Sequence, residues 1–283
     1  MSLSVITAVR GRHRHLRRMR EGLAACRPAP DRHIVVSMGD PGAAAVASAA
    51  PGPSKVVELP AEEGALPLAR ARNLGVSAAP ETGPDDLLIF LDVDCIPSPG
   101  LVGAYAEAAR RRPGDLLCGP VAYLPDGPIT DHSAAHLAQL ADPHPARPAP
   151  APGEILPEGD HTLFWSLSFA LRRETWDRIG GFDEAYTGYG AEDTDFGFAA
   201  REAGVGLSWV GGARAFHQHH PVSDPPVEHL EDILANGRVF ARKWGRWPME
   251  GWLRGFEELG LVSRDGEDWV RTERDIQRRR GSG

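Results

Sequence analysis

Two aspartates flank a valine in Asp92-Val93-Asp94, directly after the apolar run Leu87 to Leu91. On an extended strand residues i and i+2 share a face, so both carboxylates can converge on one point past the strand's end. Paired carboxylates suit a hard divalent cation, Mn2+ or Mg2+, held by one or two acids together with substrate phosphates. Far downstream, Phe216-His217-Gln218-His219-His220-Pro221 sets three imidazoles behind a short strand, and imidazole joins carboxylate in manganese or zinc shells. A third stretch, Gly180 to Gly204, carries Glu192 and Asp193 at the start of a helical run. The helix dipole stabilises negative charge there, and an ionised carboxylate so placed can act as a general base. Each group also has a plain structural alternative: a solvated turn, a His-rich surface turn, and acids capping a helix.

The elements that must position these residues follow from periodicity. Ser2 to Val9 reads as a buried strand feeding an amphipathic helix that reaches Cys26, with Leu16, Met19 and Leu23 at helical spacing. A strand over His33 to Met38, an Ala-rich stretch to Ala50, a strand over Lys55 to Leu59, a helix over Leu66 to Ala79 and the strand Leu87 to Leu91 follow. Alternating strand and helix predicts an α/β fold with a mostly parallel sheet, whose ligands sit beyond the carboxyl ends of the strands. Further on, the pattern predicts a helix over Leu101 to Arg112 and a strand over Leu116 to Leu124. Residues 125–159, with eight prolines, read as a mobile loop containing a short helix near His132 to Leu140. A strand over His161 to Leu171, helices over Arg173 to Ile179 and Glu192 to Ala203, and short strands over Leu207 to Val210 and Ala213 to Phe216 complete the sheet. The tail is helical from Val227 to Trp244 and irregular beyond.

The chain has 283 residues, 31 basic against 39 acidic side chains and a formal charge of −8. Arg10 to Arg20 holds six arginines, yet the acidic balance argues against a nucleic-acid partner and leaves a solvated helix face, with one or two arginines near a diphosphate. No apolar run reaches the roughly 20 residues of a membrane helix, and no secretory leader is evident, so a cytoplasmic protein is expected. Three scattered cysteines read as small buried residues rather than a disulfide or zinc framework.

Taken in order and spacing, Asp92-Val93-Asp94, Ala69-Arg-Ala-Arg72-Asn73-Leu-Gly75, Gly180 to Gly204 and His217 to Pro221 resemble family 2 glycosyltransferases of the GT-A fold, with a second half similar to a galactosyltransferase C-terminal module. The resemblance spans about residues 2–221. It implies a Rossmann-like nucleotide-sugar-binding sheet, mixed but mostly parallel. Residues 1–222 would be the catalytic domain: a nucleotide-binding half 1–124, a Pro-rich flexible loop 125–159 and an acceptor and metal half 160–222. Residues 223–283 would form a helical C-terminal extension. It also implies Asp94 as direct metal ligand with Asp92 nearer the ribose, Val93 between them, and His217 and His220 closing the shell. Asp193 matches the base and Glu192 a residue that orients the acceptor. Thr7, Ala8, Arg10 and Asp40 match the nucleoside pocket, and Arg72 and Asn73 the nucleotide-sugar site. Ser37-Met-Gly-Asp40 offers one acid where two are usual, and Phe164-Trp-Ser-Leu-Ser168 replaces a usual Gly-Asn.

The implied reaction is inverting transfer from a nucleotide-sugar, a UDP-sugar, to a saccharide or small-molecule acceptor, with the metal neutralising the leaving diphosphate. A metal-dependent nucleotidyltransferase or phosphohydrolase, and a non-catalytic sugar-nucleotide-binding module, are the alternatives. The former gives Glu192 and Asp193 no task. Tyr186 and Tyr189 are the aromatics expected to stack on sugar, and Trp244, Trp247 and Trp252 would, if exposed, mark a homodimer contact or an acceptor wall.

Overall fold

In a computed structural model, which describes residues 1–49, 51–60, 66–127 and 129–272, the core is an eight-stranded sheet. Ala50, Pro128 and the end of the expected extension, 273–283, lie outside the described residues. The first half alternates strand and helix: β1 (Leu3–Val9), α1 (His13–Ala25), β2 (Arg32–Met38), α2 (Gly42–Ala49), β3 (Ser54–Leu59), α3 (Leu68–Ala78) and β4 (Leu87–Leu91). Strands β3, β2, β1 and β4 pair in parallel. The inner strands β1, β2 and β4 are buried nearly throughout because helices cover both faces, whereas edge strand β3 is more exposed. Val5 and Val35 pack on the α1 side, Ile6 and Val36 on the α3 side.

The chain continues through β5 (Cys95–Pro97), α4 (Leu101–Arg111), β6 (Leu116–Cys118), β7 (Val121–Tyr123), α5 (Ala134–Leu140), β8 (Asp142–Pro143), β9 (Ile155–Leu156), β10 (Ser168–Arg172) and α6 (Arg173–Ile179). Then come α7 (Glu192–Glu202), β11 (Leu207–Val210), β12 (Ala215–His217), α8 (Leu230–Trp244), α9 (Glu250–Glu258), β13 (Val262–Asp265) and β14 (Asp268–Arg271). Strand β10 inserts antiparallel between β4 and β6, so the large sheet, ordered β3-β2-β1-β4-β10-β6-β11-β9, is mixed. A second sheet, β5-β12-β7-β8, stands over the carboxyl ends of β4 and β6.

Four sequence expectations change, the last of them in the tail. The single strand expected over Leu116 to Leu124 breaks at Gly119-Pro120 into β6 and β7, which join different sheets. Proline has no ladder donor, and a side chain at Gly119 would collide with the Ala213 carbonyl, 2.1 Å away. His161 to Leu171 begins instead as a 3-10 turn over His161–Leu163, and the strand starts only at Ser168. The Pro-rich stretch holds the expected short helix, as α5, and also contributes the two edge strands β8 and β9. Edges are where proline costs a sheet least.

The tail beyond Trp244 is not irregular: α9 and the β13–β14 hairpin pack with α8 around Ile233, Leu234, Trp247, Leu253 and Phe256. All three cysteines are buried and free. Among the described residues, no helix is long and apolar enough to cross a membrane.

Candidate active site

Asp94 and two histidines meet where the two sheets join. The β4–β5 turn is closed by the Cys95 amide donating to the Asp92 carbonyl. Strand β12 pairs with β5 and β7 so that His217 lies opposite Cys95 and Tyr123, while the Gln218 amide donates to the Asp94 carbonyl at 2.7 Å. His217 Nε2 thereby lies 3.6 Å from Asp94 Oδ1, and His220 Nε2 3.5 Å from Oδ2. Ligand atoms of all three lie within 4.8 Å of one another. Ligands about 2.1 Å from one ion stand roughly 3.0–3.4 Å apart, so one carboxylate and two imidazoles can share a single divalent cation once the side chains close by up to about 1.4 Å.

Electrostatics suit that use. Burial pushes the Asp94 carboxyl up, but His220, His217 and the Arg12 guanidinium outweigh it and hold the group below its ordinary range. Burial lowers His217, against the pull of Asp94, which favours the neutral imidazole that ligates metal. Arg12, at the left-handed start of α1 (φ 51°), places Nη1 2.5 Å from Asp94 Oδ2. Asp92 moves the other way: burial raises it, reinforced by Asp94 and opposed by Arg72.

Arg72, buried on α3, joins the two acidic groups. Its Nη1 donates to Glu192 Oε1 at 3.1 Å and its Nη2 to Asp92 Oδ1 at 3.3 Å, with the guanidinium 5.1 Å from the Phe182 ring centre. One residue further, Asp193 is half-buried. Its carboxyl is pushed up to about 7, by burial first and then by the charge of Glu192, while Arg72 pulls it down. A carboxylate poised near neutrality has the proton affinity a general base needs.

The turn that presents Glu192 and Asp193 is fixed from outside. Ala191, before α7, adopts a left-handed φ of 72°, a conformation that costs a residue with a Cβ roughly 1–2 kcal/mol. Buried Asn236 of α8 offsets this by donating to the carbonyls of Thr187 and Gly190, both at 2.9 Å, and accepting from the Thr187 amide at 3.3 Å. Asp232 accepts the Tyr189 amide at 3.1 Å. Gly188 is required there: at φ +77°, a Cβ would lie 2.3 Å from the Asp232 carboxylate. Below, Asp195 receives the Tyr186 hydroxyl, the Trp244 indole and the Lys243 ammonium, all within 3.0 Å.

The structure thus brings Asp92, Asp94, His217, His220, Arg72, Glu192 and Asp193 into one neighbourhood, with Val93 buried between the two aspartates. His219 turns away to Asp126, 3.1 Å distant. Other residues taken for the nucleotide pocket have different partners. The Thr7 hydroxyl is buried, donating to the Leu91 carbonyl at 2.8 Å and lying 3.1 Å from His33 Nε2. Ala8 packs against the α3-side core, and Arg10 is exposed past β1. Asp40 already accepts from the amides of Gly11 and Gly42 and faces His13, which ties the β1–α1 loop to β2. Asn73 is bound to both backbone groups of Phe182 at 2.9 Å and to Glu184, so it anchors the glycine-rich loop. Tyr186 is buried in the core with its hydroxyl on Asp195, not open to stack on a sugar.

Sequence reasoning missed Arg12 as the partner of Asp94 and the α8 residues as holders of the turn. It also missed Arg147, buried between the rings of Trp165 and Trp209 at 4.9 and 4.8 Å, with its three guanidinium nitrogens lacking hydrogen-bond partners among the described residues.

The mixed, mostly parallel sheet flanked by helices is that of the GT-A fold class. Solved structures agree: S. aureus TarS in complex with UDP-GlcNAc superposes with a TM-score of 0.60 at 14% identity over 85% of this chain and 67% of that one. GalNAc-T7 with UDP, GalNAc and Mn2+ gives 0.54 at 16% identity over 78% and 43%. The profile of the N-terminal domain of galactosyltransferase matches residues 158–221. The N-acetylglucosaminyl-diphospho-decaprenol L-rhamnosyltransferase of Mycobacterium tuberculosis is 29% identical over 189 residues, 60% of this chain and 61% of that protein. This chain therefore spans about three fifths of that relative's length. The chain is thus similar to glycosyltransferases in sequence and fold, and the galactosyltransferase-like segment carries Glu192, Asp193 and the histidines.

Proposed function

We propose that the protein is an inverting, divalent-metal-dependent glycosyltransferase that moves a sugar from a UDP-sugar to an acceptor hydroxyl. The observation that carries this reading is the opposition of two sites bridged by Arg72: Asp94 with His217 and His220 on one side, Asp193 beside Glu192 on the other. Asp94, His217 and His220 would hold Mn2+ or Mg2+, which supplies neutralisation of charge on the departing diphosphate. Asp92 orients the ribose, and Arg12, exchanged off Asp94, turns its charge to the phosphates. Asp193 accepts the proton of the acceptor hydroxyl as that oxygen attacks the anomeric carbon from the face opposite the leaving group, inverting its configuration. One base suffices, whereas a glycoside hydrolase needs two carboxyl groups flanking its bond. Here Asp92 and Glu192 share a guanidinium instead. The UDP-GlcNAc bound to TarS and the UDP and Mn2+ bound to GalNAc-T7 support the choice of donor and ion.

A thermal-shift panel of nucleotide sugars with and without manganese tests the reading. The correct donor, at 100 times its Kd, stabilises the fold by about 2.7 kcal/mol, and only with the ion present. Asp193→Asn keeps that stabilisation and loses about 10^2- to 10^4-fold in transfer. Transfer by that variant at the wild-type rate overturns the assignment of the base, and release of pyrophosphate instead of nucleoside diphosphate points to nucleotidyl transfer.

A further inference from the structure

Arg147 is a buried charge to which the proposed reaction gives no task. It keeps 7% of its surface and lies over the rings of Trp165 and Trp209, and none of its three guanidinium nitrogens has a hydrogen-bond partner among the described residues. The indoles cover the faces of the guanidinium, but its five N–H donors lie in its plane. An acceptor must therefore approach edge-on, as the two oxygens of a carboxylate do in a bidentate pair. Acids of the same stretch do not fill that role: Glu154 accepts the Ala151 amide at 2.9 Å, and Asp142 is exposed. Buried charges are ordinarily paired, so the partner is to be sought in a ligand.

The surroundings indicate which ligand. The Leu167 carbonyl accepts the Asp92 amide at 2.9 Å, so the stretch from Phe164 to Leu167 runs beside the acidic turn. On one flank, Trp165 meets His144 edge to face at 4.7 Å, His144 lies 5.9 Å from the Tyr123 ring, and Tyr123 packs on the metal-side His217 at 4.9 Å. On the other, Phe164 lies 5.5 Å from Phe196, one turn into the helix that starts with Glu192 and Asp193. Arg147 thus stands beside the space between metal and base, where the reacting sugars meet. The segment that carries it is also free to give way. Among the described residues, the backbone of 144–150 hydrogen-bonds only within the segment, with the Arg147 amide on the His144 carbonyl at 3.1 Å and the Ala146 amide on His144 Nδ1 at 3.2 Å.

We propose that Arg147 receives a carboxylate at C6 of one of the two reacting sugars, so that the enzyme selects a hexuronic acid, as donor or as acceptor, over the neutral hexose. This rests on the glycosyltransferase reading. A hydroxymethyl group at the same carbon brings no charge and leaves the guanidinium unneutralised.

The test is isothermal titration of the full chain in Mn2+ with ligands that differ only at C6: UDP-glucuronate against UDP-glucose, UDP-galacturonate against UDP-galactose and, with UDP present, methyl β-glucuronide against methyl β-glucoside. In at least one pair the uronate binds the wild-type protein about tenfold tighter or more. A donor pair that responds places the carboxylate on the donor, and the methyl glycoside pair places it on the acceptor. Within that pair the ratio of Kd values falls to near one in Arg147→Met, which keeps the bulk without the charge, and is intermediate in Arg147→Lys, which keeps the charge without the fork. Wild-type ratios near one in all three pairs overturn the proposal whether or not the variants fold, and so does a ratio unchanged in Arg147→Met. UDP titrated alone keeps the two claims apart. If it does not bind with Mn2+ present, the glycosyltransferase reading falls and the carboxylate site with it, whereas UDP binding with ratios near one removes only the carboxylate site.

Discussion

Asp94, His217 and His220 are delivered by strand ends whose register fixes them, whereas Glu192 and Asp193 ride on a turn that α8 holds from outside. On the metal side, β5, β12 and β7 are tied by backbone ladders, and a one-residue slip would turn His217 to the other face. On the base side the turn depends on side chains more than forty residues away, Asn236 and Asp232 above it and Lys243 and Trp244 below. A ladder distributes its strain over many bonds; a side-chain clamp concentrates it in a few. The donor half is therefore expected to tolerate substitution in the extension, and the acceptor half to respond to it.

The sharpest way to break this contrast is Asp94→Asn, which takes one charge from the metal side and nothing from the turn. We expect transfer to fall about 10^3-fold, with the manganese response of the thermal shift lost and the unfolding midpoint without ion little changed. Asp195→Ala works on the other side. It removes a buried carboxylate that receives three donors and pairs with Lys243, and a loss of about 3–5 kcal/mol in denaturant unfolding is expected, with donor binding retained by the folded fraction. The pH profile sharpens the comparison further. A base must be ionised to act, and the Asp193 carboxyl titrates at about 7, so transfer measured at saturating donor and ion rises through pH 7 and falls about tenfold per unit below it. The smallest effect is that of Asn236→Ala. Loss of its bonds to the turn costs about 1–3 kcal/mol, and kcat drops while manganese affinity, read by titration, stays at the wild-type value.

The two sides also differed in how far they could be read from the sequence. Asp92-Val93-Asp94 at a strand end and the histidine run are local patterns, and the alternation of strand and helix through Leu91 is strong enough to give the parallel half of the sheet. What the sequence hides is pairing. Nothing in Cys95–Pro97 says that it lies antiparallel to Ala215–His217 and so sets His217 beside Asp94. Asn73 and Asp40 sit at motif positions, yet their polar atoms stabilise loops, because a buried amide or carboxylate takes the nearest backbone donors and acceptors first. Asn236 and Asp195 lie in recognisable stretches, but nothing local says what they hold. Their importance arises only when α8 crosses the turn, and no local spacing encodes a contact made across that distance.

The Asn236 latch carries a consequence for how such a chain can diversify. Because the last fifth of the polypeptide reaches back to seat the loop before Asp193, grafting a foreign tail would, on the proposed function, retune which alcohols are glycosylated without rebuilding the cradle for the nucleotide. Two heritable settings, one for what is given and one for what receives it, would then occupy separate stretches of a single gene.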